Sequence, residues 1–240
     1  MSLLGSALSE ERDQSSRVWS GYLLALVLIV WQIKVAGLHG VTDNATLIEF
    51  GARKPNFGFP QAPWRLVASM FLHGGWLHLL ANVFLVVVWG SQWSRLVGAF
   101  GLLTTFLVTG VWGSLISDIY GPEALAVGAS GGTAGLVLAV LCLAILGPGR
   151  EGWQGEHRQW LRVSAAVVVL NVAMGFGVTS LSGAGLDHWA HIGGAMAGAV
   201  VGCFASRDKG APHRWFWGSI LVLVAAAAGV ISYRGASPFG

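Results

Sequence analysis

Seven long apolar runs, separated by polar segments, dominate the chain. Each approaches or reaches the roughly 20 residues that a helix needs to cross a bilayer. They cover about residues 18–38, 76–92, 98–117, 129–146, 160–178, 187–205 and 215–233. The pattern predicts an all-α, polytopic membrane protein with seven spans, numbered here in chain order.

The spans divide the chain into three predicted parts. Residues 1–17 form a polar tail, residues 18–205 hold six spans, and residues 206–240 add the seventh span and a short tail. Within the six-span part, residues 39–75 make an unusually long loop, and loops of that length are often functional. We expect this loop to be partly structured and to lie in the membrane interface.

Composition agrees with a membrane protein. Charged residues make up 10% of the chain and hydrophobic residues 54%, whereas soluble domains carry about 25% charged residues. The net charge of +3 gives no reason to expect a nucleic-acid partner. Cys142 and Cys203 form no disulfide framework.

The distribution of Lys and Arg predicts the orientation, because cytoplasmic loops carry an excess of them. The N-terminal tail and the loops after spans two, four and six hold nine, against five on the other side. We therefore expect a cytoplasmic N-terminus, and we expect the plasma membrane of a bacterium as the location.

Four polar side chains lie near the outer ends of spans two, four and six, which run in the same direction. Ser130 starts span four between Gly128 and Gly131, and glycines allow a tight turn and the close approach of other groups. The other three are His78 and Asn82 on one face of span two, and His191 near the start of span six. At 1.5 Å per residue they share one shallow depth, which predicts a site open to the outer side.

These residue types suit nucleophilic catalysis. A serine hydroxyl needs a base to take its proton, and His191 can act as that base. Asp187 lies one turn earlier but at a loop boundary, so we predict a Ser130–His191 dyad without a third carboxylate. His78, Asn82 and the Ser130 N–H can donate hydrogen bonds to an oxyanion.

Glycines at every fourth position predict how spans four and six meet, because small residues let helix backbones approach closely. They are Gly194, Gly198 and Gly202 on the face of His191, and Gly131 and Gly135 on span four. If these faces meet, the Ser130 hydroxyl and the His191 ring come within hydrogen-bond reach. Cys142 and Cys203 then share a depth too, since each lies twelve residues further on.

Each candidate also has a plainer interpretation. Ser130 is a typical N-cap residue, a membrane asparagine often joins helices, and several histidines at one level can ligate zinc. No H-E-x-x-H sequence is present, and His73 lies about 140° from His78 on an ideal helix. We therefore predict no metal and no cofactor, and expect His73 to point elsewhere and hold the loop. Arg65 is either a snorkelling residue or a residue that holds the long loop in shape.

Five motifs, in chain order, resemble those of the rhomboid family of intramembrane serine proteases. They are Leu47 to Ala52 (L-x-x-x-G-A), Trp64-Arg65 (W-R), His73 to Asn82 (H-x4-H-x3-N), Gly128 to Gly131 (G-x-S-G) and Ala190 to Gly198 (A-H-x-x-G-x-x-x-G). The resemblance implies a rhomboid-like six-helix core, with the long loop lying sideways in the membrane. The seventh span is then an added C-terminal helix.

The resemblance also implies roles for single residues. Ser130 is then the nucleophile and His191 the base, His78 and Asn82 belong to the oxyanion hole, and His73 belongs to a supporting network. The substrates are transmembrane proteins, cleaved in or next to their spans within the lipid bilayer. The alternative is a non-catalytic relative that binds membrane clients. The sequence of a solute transporter is expected to show an internal repeat and broken helices, and this sequence shows neither.

One position departs from the family pattern. Many relatives carry Tyr or Phe four residues after the nucleophile, where it packs against the base, and this chain carries Ala134. The orientation of His191 must then come from Trp189 or from the glycine packing.

Overall fold

The computed structural model describes residues 3–37, 43–54, 59–121, 125–146 and 187–206, and the isolated positions 159, 162, 163, 166 and 220. Apart from these isolated positions, the predicted spans five and seven lie outside the described residues. The described elements are helical, apart from one antiparallel bridge between Arg53 and Ala126. The all-α prediction is confirmed for this part of the chain, and the count of seven spans stays a prediction.

The described residues form seven α-helices. They are α1 (Leu3–Ala36), α2 (Asn44–Glu49), α3 (Arg65–Ala68), α4 (Trp76–Leu85), α5 (Ser91–Tyr120), α6 (Ser130–Leu146) and α7 (His188–Ala205). A 3₁₀ turn, Ser69–Phe71, follows α3, and a π-helical turn, Val86–Gly90, joins α4 to α5. The backbone of α1 begins at Leu3, so the predicted polar tail is the first part of this helix.

Among the described residues, two stretches are long and apolar enough to cross a membrane: Val18–Ala36 and Trp76–Tyr120. The second has 45 residues, which is far longer than one span needs. Gly98 breaks it with φ 78° and ψ 174°, a conformation that glycine adopts without steric cost. This break separates the predicted spans two and three. The predicted span four corresponds to α6 and the predicted span six to α7.

The long loop is partly structured, as predicted. It carries α2, α3 and the 3₁₀ turn. Asp43 caps α2, because its carboxylate accepts hydrogen bonds from the backbone N–H and the hydroxyl of Thr46. These hydrogen bonds hold the pKa of the Asp43 carboxyl below its ordinary value.

Helix α6 packs against both α5 and α7, which also pack against each other, and it touches α4. Its side chains Leu136 and Val140 belong to the main apolar core, together with Trp89, Trp93 and Phe106. The indole of Trp93 donates a hydrogen bond of 2.9 Å to the Thr105 hydroxyl, which satisfies its polar group within the core. The helix that carries Ser130 is therefore held on several sides.

The contact between α6 and α7 is the predicted glycine contact, and the structure confirms it. A Cβ atom on Gly194 would collide with the carbonyl oxygen of Gly131, and one on Gly198 with that of Gly135. Gly202 lies in the same way against Ala139. The two backbones therefore touch directly. Cβ of Cys142 also lies against Gly202, which precedes Cys203, so the two cysteines are on neighbouring turns of this contact, as their spacing predicts.

Candidate active site

Ser130 is the first residue of α6 and follows a turn that only glycine fits. Gly128 has a φ of +126°, which side-chain-bearing residues rarely adopt. A Cβ atom there would lie 2.7 Å from Nε2 of His78, so the ring of His78 packs against this bare backbone. The N–H of Gly128 donates to the carbonyl oxygen of Ser69 at 2.9 Å. The turn before Ser130 is thus fixed on two sides.

His191 lies in the first turn of α7, which is anchored at its start. The Asp187 carboxylate caps this helix by accepting a 3.0 Å hydrogen bond from the N–H of Ala190. The carbonyl oxygen of Ala190 packs against Gly113 of α5 and Gly131 of α6. Both neighbouring helices thus constrain the backbone next to His191.

The structure brings the first turns of α6 and α7 together. Gly131, which follows Ser130, lies against Gly194, one turn after His191. The hydrogen bonds at both residues run along their own helices: the carbonyl oxygen of Ser130 accepts from Thr133, and the N–H of His191 donates to Asp187. The hydroxyl–imidazole hydrogen bond of the predicted dyad is not among those formed by the described residues.

His78 and Asn82 lie on α4, beside the turn that leads to Ser130. Asn82 is 3% exposed, and its Nδ2 donates to the carbonyl oxygen of His78 at 3.0 Å. Its Oδ1 is buried with no hydrogen-bond partner in the described part of the chain. The amide Nδ2 carries two N–H groups, so a second one is available to a ligand.

The prediction that His73 points away from His78 was wrong. Their ring centroids lie 5.0 Å apart in an edge-to-face arrangement. The prediction treated both residues as part of one helix, but α4 begins at Trp76, so helical spacing does not apply to His73. Within the described ranges, no three His, Cys, Asp or Glu side chains converge as a metal site.

Comparison with known proteins supplies the family. A model of the rhomboid domain matches residues 60–208, more than half of the chain. The chain belongs to the rhomboid family. It is therefore an integral membrane protein.

Similar rhomboid proteins come from bacteria, plants and parasites. Rhomboid protease GluP of Bacillus subtilis is 28% identical over 225 residues, covering 90% of this chain and 40% of that protein. RHOMBOID-like protein 7 of Arabidopsis thaliana is 32% identical, covering 58% and 42%. Rhomboid-like protease 5 of Toxoplasma gondii is 35% identical, covering 63% and 17%. This rhomboid chain thus spans less than half of the length of each of these three relatives.

Arg65 of this rhomboid chain holds the long loop in shape, which was one of the two predicted roles. Its Nη1 donates to the carbonyl oxygens of Ile48 and Ala52, each at 2.7 Å. Its guanidinium also stacks on the ring of Trp64, 4.6 Å from the centroid. The arginine therefore ties the end of α2 to the start of α3.

Trp189 does not replace the aromatic residue missing at Ala134. Its ring is 39% exposed and packs against Tyr120, with centroids 5.2 Å apart. The glycine contact between α6 and α7 and the Asp187 cap are therefore what constrains the backbone of His191.

Gln32, near the C-terminal end of α1, is buried and was not predicted to have a role. Its amide clamps the backbone of His73: Nε2 donates to the carbonyl oxygen at 2.9 Å, and Oε1 accepts from the N–H at 3.1 Å. The available signal was a polar amide side chain within the first apolar run. Gln32 thus joins α1 to the segment that leads into α4.

We expect Gln32→Leu to destabilise this rhomboid chain. The change removes two hydrogen bonds from the buried backbone of His73, and losing a partner at a buried polar group costs about 1–3 kcal/mol. The melting temperature of the detergent-solubilised protein measures the effect. Gln92→Leu is the matched control, because Oε1 of Gln92 accepts a solvent-exposed hydrogen bond from Arg95 of the same helix. Equal melting temperatures for the two variants would contradict the clamp.

Proposed function

We propose that this rhomboid chain is an intramembrane serine endopeptidase, which cleaves other membrane proteins in or next to their transmembrane segments. The observation that supports it most is the backbone contact between Gly131 and Gly194. This contact holds the first turns of α6 and α7 side by side, as a dyad of Ser130 and His191 requires. The printed names of similar proteins, such as rhomboid protease GluP, support the same proposal.

In the proposed reaction, His191 takes the proton of the Ser130 hydroxyl while Oγ attacks the scissile carbonyl carbon. The tetrahedral intermediate collapses when His191 gives this proton to the leaving amine. A water molecule, deprotonated by His191, then attacks the acyl carbon, and the ester bond to Ser130 breaks as His191 returns this proton to Oγ. The dyad alone moves the protons in each step.

The negative charge of the tetrahedral intermediate needs stabilisation. The backbone N–H of Ser130 lies at the N-terminus of α6, where N–H groups lack partners in the helix and carry partial positive charge. His78 and the second N–H of Asn82 are the proposed side-chain donors. Gly128 and Gly131 support this arrangement, because their missing side chains leave room for His78 and for α7.

The proposed enzyme has seven spans, with the N-terminus in the cytoplasm and the active site open to the outer side. The excess of Lys and Arg in the predicted cytoplasmic segments supports this orientation. The lipid bilayer and transmembrane substrates are its partners, and a bacterial plasma membrane is the proposed location. A substrate helix must unwind locally before attack, because its carbonyl groups are hydrogen-bonded within the helix.

Labelling by a fluorophosphonate probe tests the proposal. The detergent-solubilised protein is treated with the probe, digested, and the modified residue identified by mass spectrometry. We expect the label on Ser130, because the oxygen of an activated serine attacks the phosphorus of the probe and displaces fluoride. Ser206→Ala is the matched control and should label as the wild type does, since this hydroxyl bonds the Cys203 carbonyl at the far end of α7. A folded wild type without label at Ser130 would contradict the proposal and favour a non-catalytic, client-binding protein.

A further inference from the structure

Arg53, in the long loop, is buried at 3% exposure and its guanidinium contacts several segments. Nε donates to the Ser69 hydroxyl at 3.0 Å, and Nη1 to the Ser114 carbonyl oxygen at 2.7 Å. Nη1 also pairs with the Asp118 carboxylate, and Nη2 with the Asp187 carboxylate at 3.4 Å. One side chain therefore joins the long loop, the end of α5 and the start of α7.

The backbone of Arg53 is tied to the segment that carries Ser130. Its N–H donates to the Ala126 carbonyl oxygen at 3.1 Å, and its own carbonyl oxygen accepts from the Ala126 N–H at 2.7 Å. Ala126 lies four residues before Ser130. Ser69, which accepts from the guanidinium, also accepts from the Gly128 N–H through its carbonyl oxygen. The approach to the nucleophile is thus bound to Arg53 both directly and through Ser69.

The side chain of Arg53 is tied to the segment that carries His191. The Asp187 carboxylate accepts from Arg53 and, at 2.5 Å, from the Ser117 hydroxyl through Oδ2, while Oδ1 caps α7. Asp187 lies one turn before His191. The position of this cap, and so of the first turn of α7, depends on Arg53 and Ser117.

Stability alone is a weak explanation for this buried cluster. Removing charges from solvent costs free energy that their mutual attraction often does no more than offset, and apolar residues of similar volume can be as stable. What charged groups add is a defined geometry. Here the geometry they define is that of the two segments on which the proposed nucleophile and base lie.

We infer that Arg53 is a positioning residue, which fixes the segment of Ser130 relative to the helix of His191 through Ala126 on one side and Asp187 on the other. This inference rests on the proposed function. Arg53 acts through other residues, because its described contacts include neither Ser130 nor His191. Asp118 holds the guanidinium in place. In the sequence, Arg53 is one of the five Lys and Arg residues outside the predicted cytoplasmic segments, and Asp187 lies at a loop boundary.

The test compares Arg53→Met with the wild type and with Arg95→Met, which removes the same charge at an exposed position of α5. The readouts are the rate of fluorophosphonate labelling of the folded fraction, and kcat and KM for cleavage of a transmembrane substrate in liposomes. We expect Arg53→Met to lower the labelling rate and kcat by about 10- to 100-fold, because small misplacements of reacting groups cost factors of this size. KM is expected to change much less, and Arg95→Met to behave as the wild type.

Asp187→Asn removes the ion pair with Arg53 but keeps the cap of α7, because asparagine caps helices as well as aspartate does. We expect Asp187→Asn to slow labelling, and the double variant with Arg53→Met to be no slower than the slower single variant. Fully additive effects would overturn the inference, because groups that act through one contact are not additive.

Other outcomes separate this inference from the proposed function. If the wild type is labelled and folded Arg53→Met is labelled at the same rate, Arg53 positions nothing and the inference is overturned. If the wild type itself is not labelled, the proposed function fails. Hydrogen exchange of residues 125–130 and 187–191 then decides the inference alone: faster exchange in Arg53→Met supports it, and unchanged exchange overturns it.

Discussion

His191→Asn is expected to abolish measurable proteolysis, as is Ser130→Ala. Without the imidazole, no group takes the proton of the Ser130 hydroxyl, and general base catalysis contributes about 10²–10⁴-fold in rate. The measurement is cleavage of a fluorogenic transmembrane substrate by the protein reconstituted in liposomes. The double variant is expected to be no slower than either single one, because residues that act as a unit are not additive.

His188→Asn is the matched control for this experiment. His188 lies three residues earlier on the same helix, and we expect its replacement to leave kcat within about threefold, a change of less than 1 kcal/mol. Wild-type kcat in His191→Asn would contradict the dyad. Binding of substrate by a wild type that cleaves nothing would instead favour the client-binding alternative.

Gly194→Ala is expected to slow fluorophosphonate labelling by about 100-fold and to lower the melting temperature. The new Cβ would lie against the carbonyl oxygen of Gly131, and backbone atoms cannot rotate away as a side chain can. Overpacking of this kind costs about 1–3 kcal/mol. If α7 shifts by about 1 Å to relieve it, the proposed base moves away from the nucleophile, which costs about 10²-fold in rate.

Gly74→Ala provides the matched control, because no atom of the described residues, apart from the chain neighbours of Gly74, lies within 4 Å of the position of its Cβ. Its melting temperature should equal that of the wild type. A Gly194→Ala variant with the melting temperature and labelling rate of Gly74→Ala would mean that the close contact between α6 and α7 is not required.

The sequence predicts features that depend on local pattern. The length of each apolar run predicts a membrane-spanning helix. Glycines at every fourth residue of α6 and of α7 predict the pairing of Gly194 with Gly131, because each of these patterns can be read within one helix. The edge-to-face contact of His73 with His78 is different. It depends on where α4 begins, which the apolar pattern alone does not define.

The sequence does not predict contacts that depend on the tertiary fold. Arg53 meets Asp118 and Asp187 across 65 and 134 residues of chain, and a lone charge in a loop or at a helix end carries no sign of its partner. Gln32 is a polar residue in an apolar run, which indicates a role but not that it binds the backbone of His73. The roles of the site residues, and the orientation in the membrane, stay predictions.

The backbone contact between α6 and α7 also has an entropic consequence. Burial of a long side chain costs up to about 2 kcal/mol in lost rotamer freedom, whereas glycine has no rotamers to lose. Gly131, Gly135, Gly194 and Gly198 can therefore join the two helices without immobilising any side chain. Thermal rotation of side chains also has little influence on the spacing of the two helices, because main-chain atoms alone define it at these positions.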